Sequence, residues 1–280
     1  MRDFTDKVAV ITGAGSGIGR ALAIALAQRG ARLALSDIDP VAVADTVATC
    51  EKIGAKAVGY TLDVADRAAF LAHADAVVAE FGQVNLVVNN AGVALMATVE
   101  DMTWEDFDWI MGINFWGVMH GTKAFLPHLI ASGDGHIVNL SSVFGLIGVP
   151  TQSAYNATKF GVRGFTEALR EEMLIAGHRV GVSCVHPGGI DTNIARAARK
   201  PDDVDDEEAA RSFAKIAGTS PDDAAKTIIR GIERRSAKIL IGVDARVIDL
   251  LPRVFGSTYQ RLIATGSKLS KRFGVDLGLG

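Results

Sequence analysis

Tyr155 and Lys159 stand four positions apart in Tyr155-Asn156-Ala157-Thr158-Lys159, at the start of a long helical pattern. Positions i and i+4 share one helix face, so the ammonium lies beside the phenol. A free phenol has a pKa of about 10 and is a poor base at neutral pH. A neighbouring cation favours phenolate and lowers that value. A tyrosine so placed can take a proton from an alcohol or return one to a carbonyl, whereas an ordinary surface pair would do neither. Thirteen residues before Tyr155, an apolar run ends in Ser141-Ser142. A hydroxyl at a strand's C-terminal end sits where open α/β sheets bind ligands, and can hydrogen-bond a carbonyl as charge develops on it. Asn114 interrupts an otherwise apolar helical pattern over 107–125. A buried amide there needs partners, either a water leading to Lys159 or a free carbonyl at a helix kink.

A second constellation lies near the start, in Thr12-Gly13-Ala14-Gly15-Ser16-Gly17-Ile18-Gly19. Glycines allow a tight turn and the close approach of a pyrophosphate to backbone N–H groups. The helix that follows presents unpaired donors and a positive dipole end. The spacing is G-x-x-x-G-x-G, with Ile18 where the plain dinucleotide fingerprint has its last glycine, and no Gly-Lys-Ser/Thr of a phosphate loop follows. The alternative is a turn that merely needs positive φ. Asp37 comes 18 positions after Gly19. Its carboxylate can accept both adenosine ribose hydroxyls and repel a 2′-phosphate, or it can cap the next turn. Neither Ser16 nor Ile38 supplies a positive charge. The expected cofactor is therefore NAD in preference to NADP.

These groups need a frame. Apolar runs at 8–11, 32–36, 57–61, 86–89, 136–140, 180–185 and 238–241 are rich in Val, Ile, Leu and Ala and show little polar alternation. That is the signature of strands covered on both faces. Helical stretches separate them, with Asp39-Pro40 marking one start, Gly54 one end, and Thr103 with Asp106 resembling a capping box. The rhythm predicts an α/β fold: a single-domain, Rossmann-like, doubly wound parallel sheet over 1–280 with helices on both faces. Ala154, Ala157, Gly161, Gly164 and Ala168 form a stripe of small residues suited to close packing on the sheet, a helix or another subunit. Residues 244–280 read as a mildly basic helical extension interrupted at Pro252, and the acidic run 202–208 is expected to belong to a substrate lid over 193–217.

Composition removes other classes. Hydrophobic residues make up 49% of the 280, and Lys plus Arg (29) against Asp plus Glu (32) gives a net charge of −3. A dedicated nucleic-acid binder needs a basic surplus. Cys50 and Cys184 are too few and too far apart for a disulfide framework, and the six histidines form no metal-binding pattern, so no metal is expected. The polar N-terminus and the absence of a long apolar run predict a soluble, cytoplasmic protein.

Taken together, the residues resemble the short-chain dehydrogenase/reductase family, in its NAD-preferring members. The matching pieces are Thr12-Gly13-x-x-x-Gly17-x-Gly19, Asp63-Val64, Asn89-Asn90-Ala91-Gly92, Asn114, Ser142, Tyr155-x-x-x-Lys159, and Pro187-Gly188 with Thr192. The resemblance implies a catalytic set of Asn114, Ser142, Tyr155 and Lys159. Tyr155 would be the acid/base, Lys159 would lower its pKa and hold the ribose, Ser142 would orient the reacting oxygen, and Asn114 would position a relay water. It favours Ser142 over Ser141. It implies adenine contacts from Asp63 and Val64, flanking contacts from Asn90 and Gly92, and a nicotinamide carboxamide held by Ile190 and Thr192. It also implies a homo-oligomer, a dimer or tetramer. Leu95, Met96, Phe144, Leu146, Ile147, Val149 and Ile194 are mostly apolar, and either line a pocket for a hydrophobic secondary alcohol or ketone or belong to the core. An NADPH-dependent 3-oxoacyl-carrier reductase and a non-catalytic dinucleotide-binding scaffold or redox sensor are the alternatives. Beyond the family core, Val247, Ile248, Leu250, Leu251, Val254, Phe255, Leu262 and Ile263 form an apolar stripe among basic residues, which packs on the protein or meets an anionic membrane surface weakly.

Overall fold

Strand β1 (Val8–Thr12) is buried along its whole length. Val8 and Val10 join a cluster with Phe70, Val77, Phe125 and Leu169. Ala9 and Ile11 point the other way, to Leu22, Leu26, Val43 and Ile228. A strand apolar toward both sides needs cover on both. On the first side it comes from α3 (Arg67–Phe81), α5 (Gly117–Ala131) and α6 (Ser153–Ile175). On the second it comes from α1 (Gly17–Ala27), α2 (Pro40–Lys52) and α7 (Pro221–Glu233).

This computed structural model describes residues 1–192, 194, 197–200 and 218–273, with side chains up to 266. Among the described residues, seven parallel strands pair in the order β3 (Ala57–Thr61), β2 (Arg32–Asp37), β1, β4 (Leu86–Asn89), β5 (Gly135–Leu140), β6 (Val180–Pro187) and β7 (Lys238–Ile241). The chain winds outward from β1 in one direction and then from β4 in the other. The crevice between the C-terminal ends of β1 and β4 is thus a topological switch point. All seven expected runs are strands, so the doubly wound parallel sheet is as expected. The acidic run 202–208 and most of the expected lid lie outside the described residues.

Caps fall where the residue types place them. Asp39 accepts from Val41 N (2.9 Å) and Ala42 N (3.1 Å). Thr103 accepts from Asp106 N at 3.1 Å while its hydroxyl donates to the Asp106 carboxylate at 2.7 Å, opening α4 (Trp104–Met111). Two expectations need correction. The helix over 107–125 is not continuous, because residues Gly112–Trp116 form a π-helical stretch between α4 and α5. Pro252 does not break the extension. It lies inside α8 (Val243–Phe255), and the chain turns instead at Gly256, whose φ of +52 suits glycine, before α9 (Tyr259–Phe273). The small-residue stripe of α6 is buried only in part: Ala154 is buried and Gly161 abuts Phe115, but Ala157, Gly164 and Ala168 face outward.

Candidate active site

Tyr155 and Lys159 emerge from the first turns of α6, one turn apart, beside the loop that leaves β5. The Lys159 ammonium lies 5.5 Å from the Tyr155 ring centre and donates to the Leu140 carbonyl at 3.2 Å. The Ser142 hydroxyl lies close enough to the phenol to favour its ionised form, and Ser142 Oγ accepts from Phe144 N at 3.1 Å. Ser141 turns away, its hydroxyl donating to the Lys159 carbonyl at 2.8 Å. The two serines therefore divide their work, one facing the phenol and one holding the helix that carries it. Burial pushes the phenol up to about 12, against the opposing pull of the Ser142 hydroxyl. Burial brings the Lys159 amine down to about 8. The expected lowering of the phenol by Lys159 is not what this geometry yields, because withdrawal from water outweighs a neighbour facing the ring.

Asn114 sits in the π-helical stretch with no exposed surface. Its Oδ1 accepts from Val93 N at 2.8 Å and its Nδ2 donates to the Val93 carbonyl at 2.8 Å. The amide thus pairs with both backbone groups of Val93, which lies in the loop after β4 and not at a helix kink. The bond pins the loop after β4, whose Gly92 lies against Asn114 and Lys159. A Cβ there would stand 3.2 Å from Asn114 Oδ1 and 3.5 Å from Lys159 Nζ.

The glycine-rich turn occupies the switch point. Gly13 and Gly17 adopt φ of +64 and +51. A Cβ on Gly13 would lie 2.9 Å from Ala91 Cα, and one on Gly17 would lie 3.1 Å from Thr192 Cγ2. A Cβ on Gly19 would strike the Gly13 carbonyl. Ser16 opens α1 without a side-chain cap, and Ile18 follows in the first turn half-buried, so among the described residues no side chain takes the leading N–H groups of that helix. A turn stripped of side chains and a helix end with free donors fit the pyrophosphate of a dinucleotide. Asp37 accepts from Gly15 N at 2.8 Å and Asp39 N at 3.1 Å, so it braces this turn as well as the next one.

The remaining predicted residues are distributed unevenly. Asn90 is turned inward, its Nδ2 donating to the carbonyls of Thr12 (2.9 Å) and Gly13 (3.1 Å). Asp63 is exposed, while Val64 is packed against Gly117. Pro187 ends β6, and Gly188 N donates to the Ile241 carbonyl at 2.9 Å. Ile190 is buried in the core, and Thr192 reaches the glycine turn. Leu95 clusters with Tyr155, and Phe144 meets the Tyr155 ring edge-on at 6.1 Å. Met96 and Ile194 are half-buried and Leu146 is buried. Ile147 and Val149 are buried in a cluster with Phe144 and with Tyr259, Ile248 and Ile263 of the extension.

Sequence reading missed several supports. The Thr12 hydroxyl accepts from Asn90 N and Ala91 N, each at 3.0 Å. Buried Asn156 holds the 144–149 loop through Phe144 O (2.6 Å), Ile147 O (2.9 Å) and Val149 N (3.0 Å). His186 Nδ1 donates to the Ser142 carbonyl at 2.9 Å. The usable signal in each case was one polar residue in or beside an apolar run. No His/Cys/Asp/Glu cluster suited to a metal occurs among the described residues.

Known proteins resemble this chain in sequence and in fold. Residues 7–203 match the family described as short chain dehydrogenase. The putative oxidoreductase SadH of Mycobacterium tuberculosis is 57% identical over 267 residues, covering 95% of this chain and 97% of the relative. The C alpha-dehydrogenase of Sphingobium is 39% identical over 251 residues, covering 86% and 82%. The crystal structure of a short chain dehydrogenase/reductase from Burkholderia phymatum in complex with NAD superposes with a TM-score of 0.84 at 35% identity, covering 91% of this chain and 95% of that one.

Proposed function

The chain belongs to the short-chain dehydrogenase/reductase family and is an oxidoreductase of that family; on that premise we propose that it uses NAD to interconvert a hydrophobic secondary alcohol and its ketone, with Tyr155 as general acid/base. The observation that carries the reading is the meeting of Tyr155, Ser142 and Lys159 at the strand rim beside the glycine turn. A bound nicotinamide supplies the hydride acceptor or donor. In oxidation, Tyr155 takes the hydroxyl proton as the carbinol hydrogen leaves with its electron pair. In reduction, it returns that proton to the ketone oxygen. Ser142 orients the reacting oxygen, Lys159 holds positive charge beside the phenol, and Asn114 fixes the Gly92 loop through Val93.

Gly13, Ser16, Gly17, Ile18, Gly19, Asn90, Gly92, Pro187, Gly188, Ile190 and Thr192 would enclose the dinucleotide, with Asp63 and Val64 at the adenine. Asp37 favours ribose hydroxyls over a 2′-phosphate, and the NAD in the Burkholderia neighbour supports the same cofactor class. The apolar surroundings of Tyr155, Leu95 and Phe144 favour a hydrophobic substrate, and the relative named C alpha-dehydrogenase supports oxidation at carbon. Free, buried Cys50 and Cys184 suit a reducing cytoplasm, and the outward small residues of α6 suit a homo-oligomer. The test is dinucleotide reduction across a panel of secondary alcohols, with NAD and NADP compared. Tyr155→Phe should retain NAD binding and lose about 10²–10⁴-fold in kcat. Undiminished turnover, or stronger thermal stabilisation by NADP than by NAD, contradicts the respective assignment.

One further observation favours a surface role for the extension. Val243, Val247, Leu250 and Val254 share an exposed face of α8, flanked by Arg246. No described helix is long and apolar enough to cross a membrane. Weak contact with anionic lipid is the reading, and co-sedimentation with phosphatidylglycerol vesicles should exceed that with phosphatidylcholine vesicles. Background levels with both dismiss it.

A further inference from the structure

From the contacts at the start of α8 we infer that Asp244 is a positioning residue for the loop that carries Gly188, Ile190 and Thr192, and so for dinucleotide binding; the inference rests on the oxidoreductase reading above. Asp244 Oδ2 accepts from Gly189 N at 2.8 Å, across 55 positions of sequence. Two glycines make room for the carboxylate. A Cβ on Gly188 or on Gly242 would collide with it, and Gly242 holds φ of +97. The same loop is held from its other side by Thr219, which pairs with Ile190, accepts from Asp191 N at 3.1 Å and donates to the Gly189 carbonyl at 3.3 Å. Beyond these ties the loop reaches the glycine turn, where Thr192 Cγ2 stands 3.1 Å from a Cβ built on Gly17.

The chemistry explains the choice of residue. A carboxylate in the first turn of a helix is favoured by the helix dipole. Its bond to a backbone N–H is charge-assisted and stronger than a neutral one. Asp244 thereby couples the extension to the loop that reaches the glycine turn. It touches neither substrate nor cofactor, and its influence passes through the loop's backbone.

Titrating wild type, Asp244→Ala and Asp244→Asn with NAD tests this, alongside alcohol KM and kcat and amide exchange at Gly189. Removing a charge-assisted bond should weaken NAD binding about tenfold or more. The alcohol KM at saturating NAD should stay near wild type. Asparagine keeps an acceptor oxygen, so Asp244→Asn should recover most of the affinity and most of the Gly189 protection. Asp244→Ala with wild-type NAD affinity overturns the inference, as does Asp244→Asn as weak as Asp244→Ala. A failure of wild type to bind either dinucleotide overturns the oxidoreductase reading and the inference with it. If Asp244→Ala does not fold, Gly188→Ala crowds the same contact from the loop side, and unchanged NAD affinity there is equally contrary.

Discussion

Tyr155 and Lys159 are drawn in opposite directions by the same burial, the phenol up to about 12 and the amine down to about 8. At neutral pH the phenol therefore keeps its proton and the amine is still mostly charged. In the proposed reaction that state is ready to protonate a ketone, while alcohol oxidation needs the phenol deprotonated. Alcohol oxidation should accordingly climb as pH rises from 7 toward 10, and ketone reduction should not; initial rates at saturating substrates check this, and oxidation that falls over that range counts against Tyr155 as the base. The i, i+4 spacing made the pair legible in sequence, because helix geometry fixes which side chains share a face. The burial that sets their proton affinities was not legible, because it comes from Leu140, Phe144 and Leu95, brought in from distant segments. The separate tasks of Ser141 and Ser142 were also hidden, since adjacent serines differ only in the direction the backbone gives them.

At the scale of elements, the strands were legible because a sheet covered on both faces demands nearly continuous apolar runs, and the inner strands β1, β2, β4, β5 and β6 supply them, while the edge strands β3 and β7 alternate in burial. The π-helical stretch Gly112–Trp116 was not, since the polar interruption at Asn114 does not reveal that the helix there is wound more widely. Its effect is to aim Asn114 at Val93. Asn114→Ala leaves the Val93 N–H and carbonyl without those partners, and should cost about 1–3 kcal/mol in thermal or urea unfolding. A larger fractional loss is expected in NAD affinity than in global stability, because the loop it pins borders the proposed cofactor site. An unfolding midpoint and NAD affinity both equal to wild type contradict that role.

Across the whole molecule, three buried histidines set an acid limit. His73 and His186 are lowered to about 4 and His136 to about 3, chiefly by burial. His73 sits edge-on to Tyr60 at 4.7 Å, with neither ring nitrogen hydrogen-bonded. Their folded pKa values lie below the ordinary 6.5, so the unfolded chain takes up protons first. The stability they contribute is full above pH 6.5 and is lost as pH falls through about 4 and then 3. The melting temperature should drop steadily from pH 6.5 to 4, and His73→Leu should drop less steeply; a flat profile in wild type opposes this account. No sequence pattern marked these histidines, since each is one polar letter whose burial is decided by the whole fold. The apolar stripe of the extension was legible, but its division into packed residues (Ile248, Ile263) and exposed ones (Val247, Leu250, Val254) depends on where the 144–149 loop lies.

The central claim is direct hydride transfer beside Tyr155. Supplying a hydrophobic secondary alcohol deuterated at its carbinol carbon, with NAD, and weighing the reduced dinucleotide by mass spectrometry tests it most directly. Deuterium should appear in the reduced nicotinamide with wild type, and its rate of appearance should collapse with Tyr155→Phe. Reduced dinucleotide without the label, or labelling at the same rate in both proteins, would contradict the account.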